Sequence, residues 1–306
     1  MLRVPAERNI CPSHRHAPAA TIHRMTISSN KSRLHAKAAE ESTLPLDGGE
    51  IHVCLDGPRD APAILLIHGT AASLRTWDLM VPMLTGSHRV IRIDLLGCGQ
   101  SAKPDGASYE IPDQARRAGA ALDRLGVKHA IVGAHSSGGA VATALAEQRP
   151  GLVTALALID TGPNMAAYIA EEITIGPAQG PDLTDEQLRQ LMSSGFSAGY
   201  EIPQPFVDEA RGMNFHVLAA TSQALRAYLE EQALPGRLAT LGKPLLVIFG
   251  EEDRRWRSSS AAEYRVVPGS RVELLPGLGH TPILEDPPRT ATRLLAFTAT
   301  HPARAD

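Results

Sequence analysis

From residue 51 onward, short runs of Leu, Ile and Val alternate with longer stretches whose apolar residues recur at helical spacing. That rhythm predicts repeated strand–helix–strand units and hence a parallel sheet. Strands are predicted at 51–55, 63–67, 89–93, 130–134, 155–159, 245–249 and 271–275. Runs such as Ile64-Leu65-Leu66-Ile67 and Leu245-Leu246-Val247-Ile248 do not alternate with polar residues, so both faces of those strands are expected to be covered. Helices are predicted at 73–84, 112–125, 138–148 and 288–298, each bracketed by Gly, Pro or a capping residue. The fold class is therefore α/β, a mostly parallel central sheet flanked by helices.

The rhythm breaks between Ile159 and Pro244, where no strand pattern occurs. Thr184-Asp185-Glu186-Gln187 has the form of a capping box, and 206–231 reads as helix. Helical material inserted between two sheet strands predicts a cap over the sheet's carboxyl edge. The expected organisation is a core of 45–162 and 236–306 with a helical cap at 163–235. Residues 1–44 read as a disordered basic leader. They carry Arg3, Arg8, Arg15, Arg24, Lys31, Arg33 and Lys37 without periodicity, and Ala17 to Ile22 is too short for a secretory apolar region. Met25 offers an alternative start.

Composition narrows the partners. A net charge of -3 over 306 residues provides no basic field for a polyanion, so nucleic acid is not an expected partner. No apolar run approaches the ~18 residues of a membrane span. The three cysteines, Cys11, Cys54 and Cys98, fit neither a disulfide framework nor a metal knuckle, and are read as reduced thiols of a cytoplasmic protein. Arg outnumbers Lys by 25 to 5, since Lys31, Lys37, Lys103, Lys128 and Lys243 are the only lysines among the 30 basic residues, and this points to a bacterial source.

In open parallel sheets ligands bind outside the carboxyl ends of the strands. After strand 130–134 comes His135-Ser136-Ser137-Gly138-Gly139 and then a helical Ala-rich run. A strand–turn–helix of this kind projects a serine hydroxyl from a strained backbone, and it requires small residues two before and two after the serine. Ala134 and Gly138 satisfy that for Ser136. Taking Ser137 instead would place His135 in a position too tight for it.

The chain resembles the α/β-hydrolase family from about Gly49 to Phe297. The resemblance is carried by Ile64-Leu65-Leu66-Ile67-His68-Gly69-Thr70, by Arg92-Ile93-Asp94 with Gly97-Cys98-Gly99-Gln100-Ser101, by the Ser136 turn, and by Phe249-Gly250-Glu251-Glu252-Asp253 with Leu275-Pro276-Gly277-Leu278-Gly279-His280. It implies Ser136 as nucleophile, His280 as general base and Asp253 as the acid orienting it, in the family's chain order. Asp160, at the end of strand 155–159, is a competing position for the acid. The resemblance also implies an oxyanion hole made by the backbone N–H groups of Thr70 and Ser137. His68 is expected to orient that loop, and Cys98 to shape the pocket.

No metal-ligand cluster or nucleotide-binding motif is present, so no metal and no cofactor are expected. The expected activity is hydrolysis of a carboxylic ester of a modest hydrophobic small molecule through an acyl-serine. Met165, Tyr168, Ile169, Met192, Phe196, Tyr200, Phe206, Met213, Phe215 and Tyr228 supply candidate pocket walls. The same residues are compatible with carbon–carbon bond hydrolysis, a lyase, cofactor-free perhydrolysis or a non-catalytic receptor. Oligomeric state is not legible.

Overall fold

The computed structural model describes residues 39–171 and 183–303. Eight strands form one sheet: β1 (Glu40–Leu46), β2 (Gly49–Asp56), β3 (Ala63–Ile67), β4 (Arg89–Ile93), β5 (Ala130–His135), β6 (Val153–Ile159), β7 (Leu245–Gly250) and β8 (Arg271–Leu275). Their spatial order is β1-β2-β4-β3-β5-β6-β7-β8. The run from β4 to β8 is parallel, while β2 pairs antiparallel with both β1 and β4.

The unbroken apolar strands serve two cores, because successive side chains point to opposite faces. Leu65, Ile67, Val132, Val247 and Phe249 enter one core, which α2 (Ile111–Arg124) and α3 (Gly138–Gln148) complete with Leu122, Val141 and Leu145. Ile64, Leu66, Ile131, Leu246 and Ile248 enter the other, closed by Val81 and Leu84 of α1 (Val81–Leu84) and by Leu294 and Phe297 of the C-terminal helix at Pro287–Thr300. Truncating any of the fully buried leucines to alanine costs about 2–5 kcal/mol.

β1 was not expected, and it corrects the leader boundary: residues 40–44 pair with β2, while 1–38 lie outside the described residues. The predicted helix at 73–84 is instead a 3-10 turn at Leu74–Trp77, capped by the Ser73 side chain, followed by the short α1.

Between β6 and β7 lie α4 (Asp185–Met192), α5 (Gln204–Arg211), α6 (Phe215–Glu231) and α7 (Leu234–Leu241). The Thr184 capping box forms as expected, with Gln187 returning the bond. The single helix expected at 206–231 is split, because the Asn214 side chain accepts from the His216 and Val217 N–H groups and starts a new helix. α7 crosses the expected cap boundary at 235–236, and its Leu234 and Leu238 pack into the α2/α3 core. After β8 come α8 (Pro282–Glu285) and α9 (Pro287–Thr300). Among the described residues, no helix is long and apolar enough to cross a membrane.

Candidate active site

Ser136 sits where β5 turns into α3, at φ 53, and its N–H donates to the Ile159 carbonyl at 2.8 Å. Three non-glycine residues among those described have positive φ: Ala71, Ser136 and Asp160. All three lie at or beside this site, where backbone strain is commonly stored. The tight turn explains the small residues around it. A Cβ on Gly138 would meet the His68 carbonyl oxygen at 2.5 Å, whereas Ala134 packs its methyl into the core without exposure.

The sequence-predicted Ser136, His280 and Asp253 come together. Asp253 Oδ2 lies 2.9 Å from His280 Nδ1, and a carboxylate only accepts, so Nδ1 carries the proton. The other ring nitrogen, Nε2, is then an acceptor, 2.9 Å from Ser136 Oγ. Asp253 Oδ1 accepts the N–H groups of Arg255 at 2.7 Å and Trp256 at 3.0 Å. Burial opposes the Asp253 charge, but the facing His280 ring and these two donors outweigh it and hold the carboxyl below the usual range.

The competing acid, Asp160, is fully buried behind Asp253, and ligand atoms of Asp160, Asp253 and His280 all lie within 4.8 Å of one another. Asp160 Oδ1 accepts the Gly250 N–H at 2.8 Å, and Oδ2 has no hydrogen-bond partner. Burial, followed by the neighbouring Asp253 charge, pushes the Asp160 carboxyl well above the usual range. Asp253 alone is bonded to the imidazole.

Thr70 Oγ1 donates to Ser137 Oγ at 2.8 Å, tying together the two residues expected to supply oxyanion donors. No hydrogen bond among the described residues uses the backbone N–H of either. His68 is fully buried, accepts the Leu95 N–H on Nε2 at 3.0 Å and donates from Nδ1 to the Gly69 carbonyl at 2.7 Å. It braces the loop, and burial lowers its pKa.

Two braces escaped the sequence reading. The His135 ring donates from Nε2 to the His280 carbonyl at 2.8 Å, and burial, followed by the neighbouring His280 ring, pushes its pKa down to about 3. Glu285 accepts N–H groups on both sides of His280, from Gly279 at 3.0 Å and Thr281 at 3.1 Å, and also from Ser197 of the inserted segment at 3.0 Å. Gly279 runs so close to that segment that a Cβ would meet the Ser197 nitrogen at 2.2 Å. The signal available was Thr281-Pro282, a helix start with an acid one turn on.

A cavity of about 100 Å³ opens on Ser136 and His280, with Met192, Phe196, Phe206 and Met213 in its walls. A larger one of about 480 Å³, lined by Cys98, Lys103, Asn214 and Val217, touches neither Ser136 nor His280. The two share Ala71, Ala72, Glu209 and Met213. Four of the ten candidate wall residues line these cavities. Tyr228, by contrast, points away to Glu147 and Arg237.

A sequence model of the alpha/beta hydrolase family matches residues 64–293. The chain belongs to that family. It is 27% identical over 281 residues to Lipase 1 of Psychrobacter immobilis, covering 88% of this chain and 85% of that protein. It is 26% identical over 259 residues to a Bacillus subtilis (strain 168) protein named as a candidate 2-succinyl-6-hydroxy-2,4-cyclohexadiene-1-carboxylate synthase, covering 79% and 92%. Among solved structures, a bacterial membrane phospholipase A superposes with a TM-score of 0.71 at 26% identity, over 86% of each chain.

Proposed function

We propose that this chain is a serine hydrolase that cleaves a carboxylic ester of a modest hydrophobic substrate through an acyl-Ser136 intermediate. The observation that carries the reading is the continuous relay from Ser136 Oγ through the two nitrogens of His280 to Asp253, at 2.9 Å for each step, beside an apolar-walled cavity. Relatives named lipase and phospholipase support an ester as the bond cleaved.

In this reading, His280 Nε2 takes the Ser136 proton as Oγ bonds to the ester carbonyl carbon. The carbonyl electron pair moves onto oxygen, where the N–H groups of Thr70 and Ser137 receive it, aided by the N-terminus of α3. Collapse of the adduct breaks the bond to the alcohol oxygen, and His280 returns its proton to that leaving group. Water then repeats the sequence on the acyl-enzyme, releasing the acid and restoring the serine. Asp253 holds the imidazole in one tautomer and stabilises its charged form.

The segment from α4 to α6 acts as the cap, since Met192, Phe196 and Phe206 wall the nucleophile's cavity. Cys54 and Cys98 are free thiols, in keeping with a cytoplasmic protein. Turnover of short-chain p-nitrophenyl esters, lost in Ser136→Ala, tests the reading. A wild-type protein that turns over none of them overturns it, and product analysis separates hydrolysis from a lyase reaction of the same residues.

A further inference from the structure

The nucleophile's cavity contains a cation that no step above employs. Arg255 lines it together with Ser136, His135 and His280. The guanidinium lies along Gly195, where an ideal Cβ would stand 3.6 Å from Nη2, and its Nε donates to Ser194 Oγ at 3.3 Å. Among the described residues, no carboxylate is within ion-pair distance. Asp253, two residues before Arg255, is already engaged by His280 and two backbone N–H groups. Burial pulls the guanidinium below its ordinary value, against the opposing influence of Tyr168 and then Asp253.

Arg255 is half-buried, and a charge in a reaction cavity without a counter-ion among the described residues is satisfied by an anion that arrives with the ligand. A guanidinium fork matches a carboxylate with two parallel bonds, and the small volume suits that compact group. We propose that Arg255 binds a carboxylate on the substrate, so that the ester cleaved is a half-ester of a dicarboxylic acid with an apolar spacer.

This rests on the serine-hydrolase reading and deepens it. The test compares monomethyl esters of the C4 to C8 dicarboxylic acids with methyl esters of equal chain length, monomethyl adipate against methyl hexanoate being one pair. In Arg255→Met, the ratio of kcat/KM for the best half-ester over its neutral partner falls about 10- to 100-fold. A ratio unchanged by the substitution overturns the proposal, whereas absence of turnover on every ester overturns the hydrolase reading instead. As a readout independent of turnover, glutarate or adipate slows fluorophosphonate labelling of the wild type and not of Arg255→Met. Protection by inorganic phosphate alone contradicts the carboxylate assignment.

A second inference comes from Asp160. Its Oδ2 is buried without a partner next to the Asp253 carboxylate, and two carboxylates this close in a dry site do not both ionise. We infer that Asp160 is a neutral carboxylic acid whose hydroxyl donates to Asp253, making it a positioning residue for the relay. The charged and titratable groups around it are Asp253, His280 and Glu285. Asparagine supplies the same acceptor and donor and tolerates φ 46, while glycine tolerates the φ and removes both.

In Asp160→Gly, kcat/KM falls about 10- to 100-fold, and Asp160→Asn recovers it. In an Asp253→Asn background, where the anionic target is gone, the same glycine substitution costs under about threefold. An equal cost in both backgrounds assigns Asp160 a merely structural role. A kcat/KM–pH profile whose acidic limb moves to lower pH in Asp160→Asn, with activity lost, shows a second anion and overturns the inference.

Discussion

His135 and His280 are joined by a 2.8 Å hydrogen bond from the His135 ring Nε2 to the His280 backbone carbonyl, with the rings 5.1 Å apart. The side chain next to Ser136 therefore fixes the height of the loop bearing the proposed base. Its other nitrogen is buried without a partner, so the ring is held neutral.

That neutrality has a pH signature. With its pKa depressed from 6.5 to about 3, folded His135 binds fewer protons than the unfolded chain across that interval, so stability is lost as pH falls through it. In His135→Gln, urea-unfolding stability is expected to fall less steeply between those values, by up to about 1.4 kcal/mol per pH unit. Parallel pH curves for the two proteins contradict this origin.

Gly138 has no room for a methyl, since the obstacles are the His68 and Ile67 carbonyl oxygens rather than movable side chains. Gly138→Ala is expected to cost about 1–3 kcal/mol of stability and more than about tenfold in ester turnover. Thermal melts and kcat/KM measure the two effects, and a variant indistinguishable from wild type contradicts the packing.

In the proposed relay, Asp253 orients the imidazole through its 2.9 Å contact with His280 Nδ1. By analogy with serine hydrolases in general, Asp253→Asn is expected to lower kcat by about 10³- to 10⁴-fold while the fold persists, through the wrong tautomer of His280. A loss under about tenfold shifts the role of acid to Asp160.

Glu285 clamps three N–H groups, two flanking His280 and one from the inserted segment. Removing it in Glu285→Ala is expected to reduce kcat about tenfold or more and to lower the melting temperature, since buried donors are left unpaired. Unchanged kcat contradicts a role for the clamp in placing His280.

The strands legible in the sequence were those whose character survives averaging along the chain. Ile64-Leu65-Leu66-Ile67 is apolar throughout because helices cover both its faces. β1 escaped because it is an edge strand of mixed polarity, Glu40 to Leu46 with Pro45 inside it, though the Asp47-Gly48 hairpin turn announces its pairing. Ser136, His280 and Asp253 were legible because each follows a strand and the sheet brings strand ends together. The His135 and Glu285 braces, the Arg255 cation and the partnerless Asp160 oxygen were not. Their roles depend on contacts between segments distant in the chain, such as the 145 residues between His135 and His280, rather than on local composition.

The most direct test is to label the purified protein with a fluorophosphonate and locate the adduct by mass spectrometry. One adduct on Ser136, absent in Ser136→Ala and strongly slowed in His280→Ala, is the expected result. Labelling that persists in Ser136→Ala, or a wild-type protein that turns over esters without any adduct on Ser136, contradicts the acyl-serine mechanism.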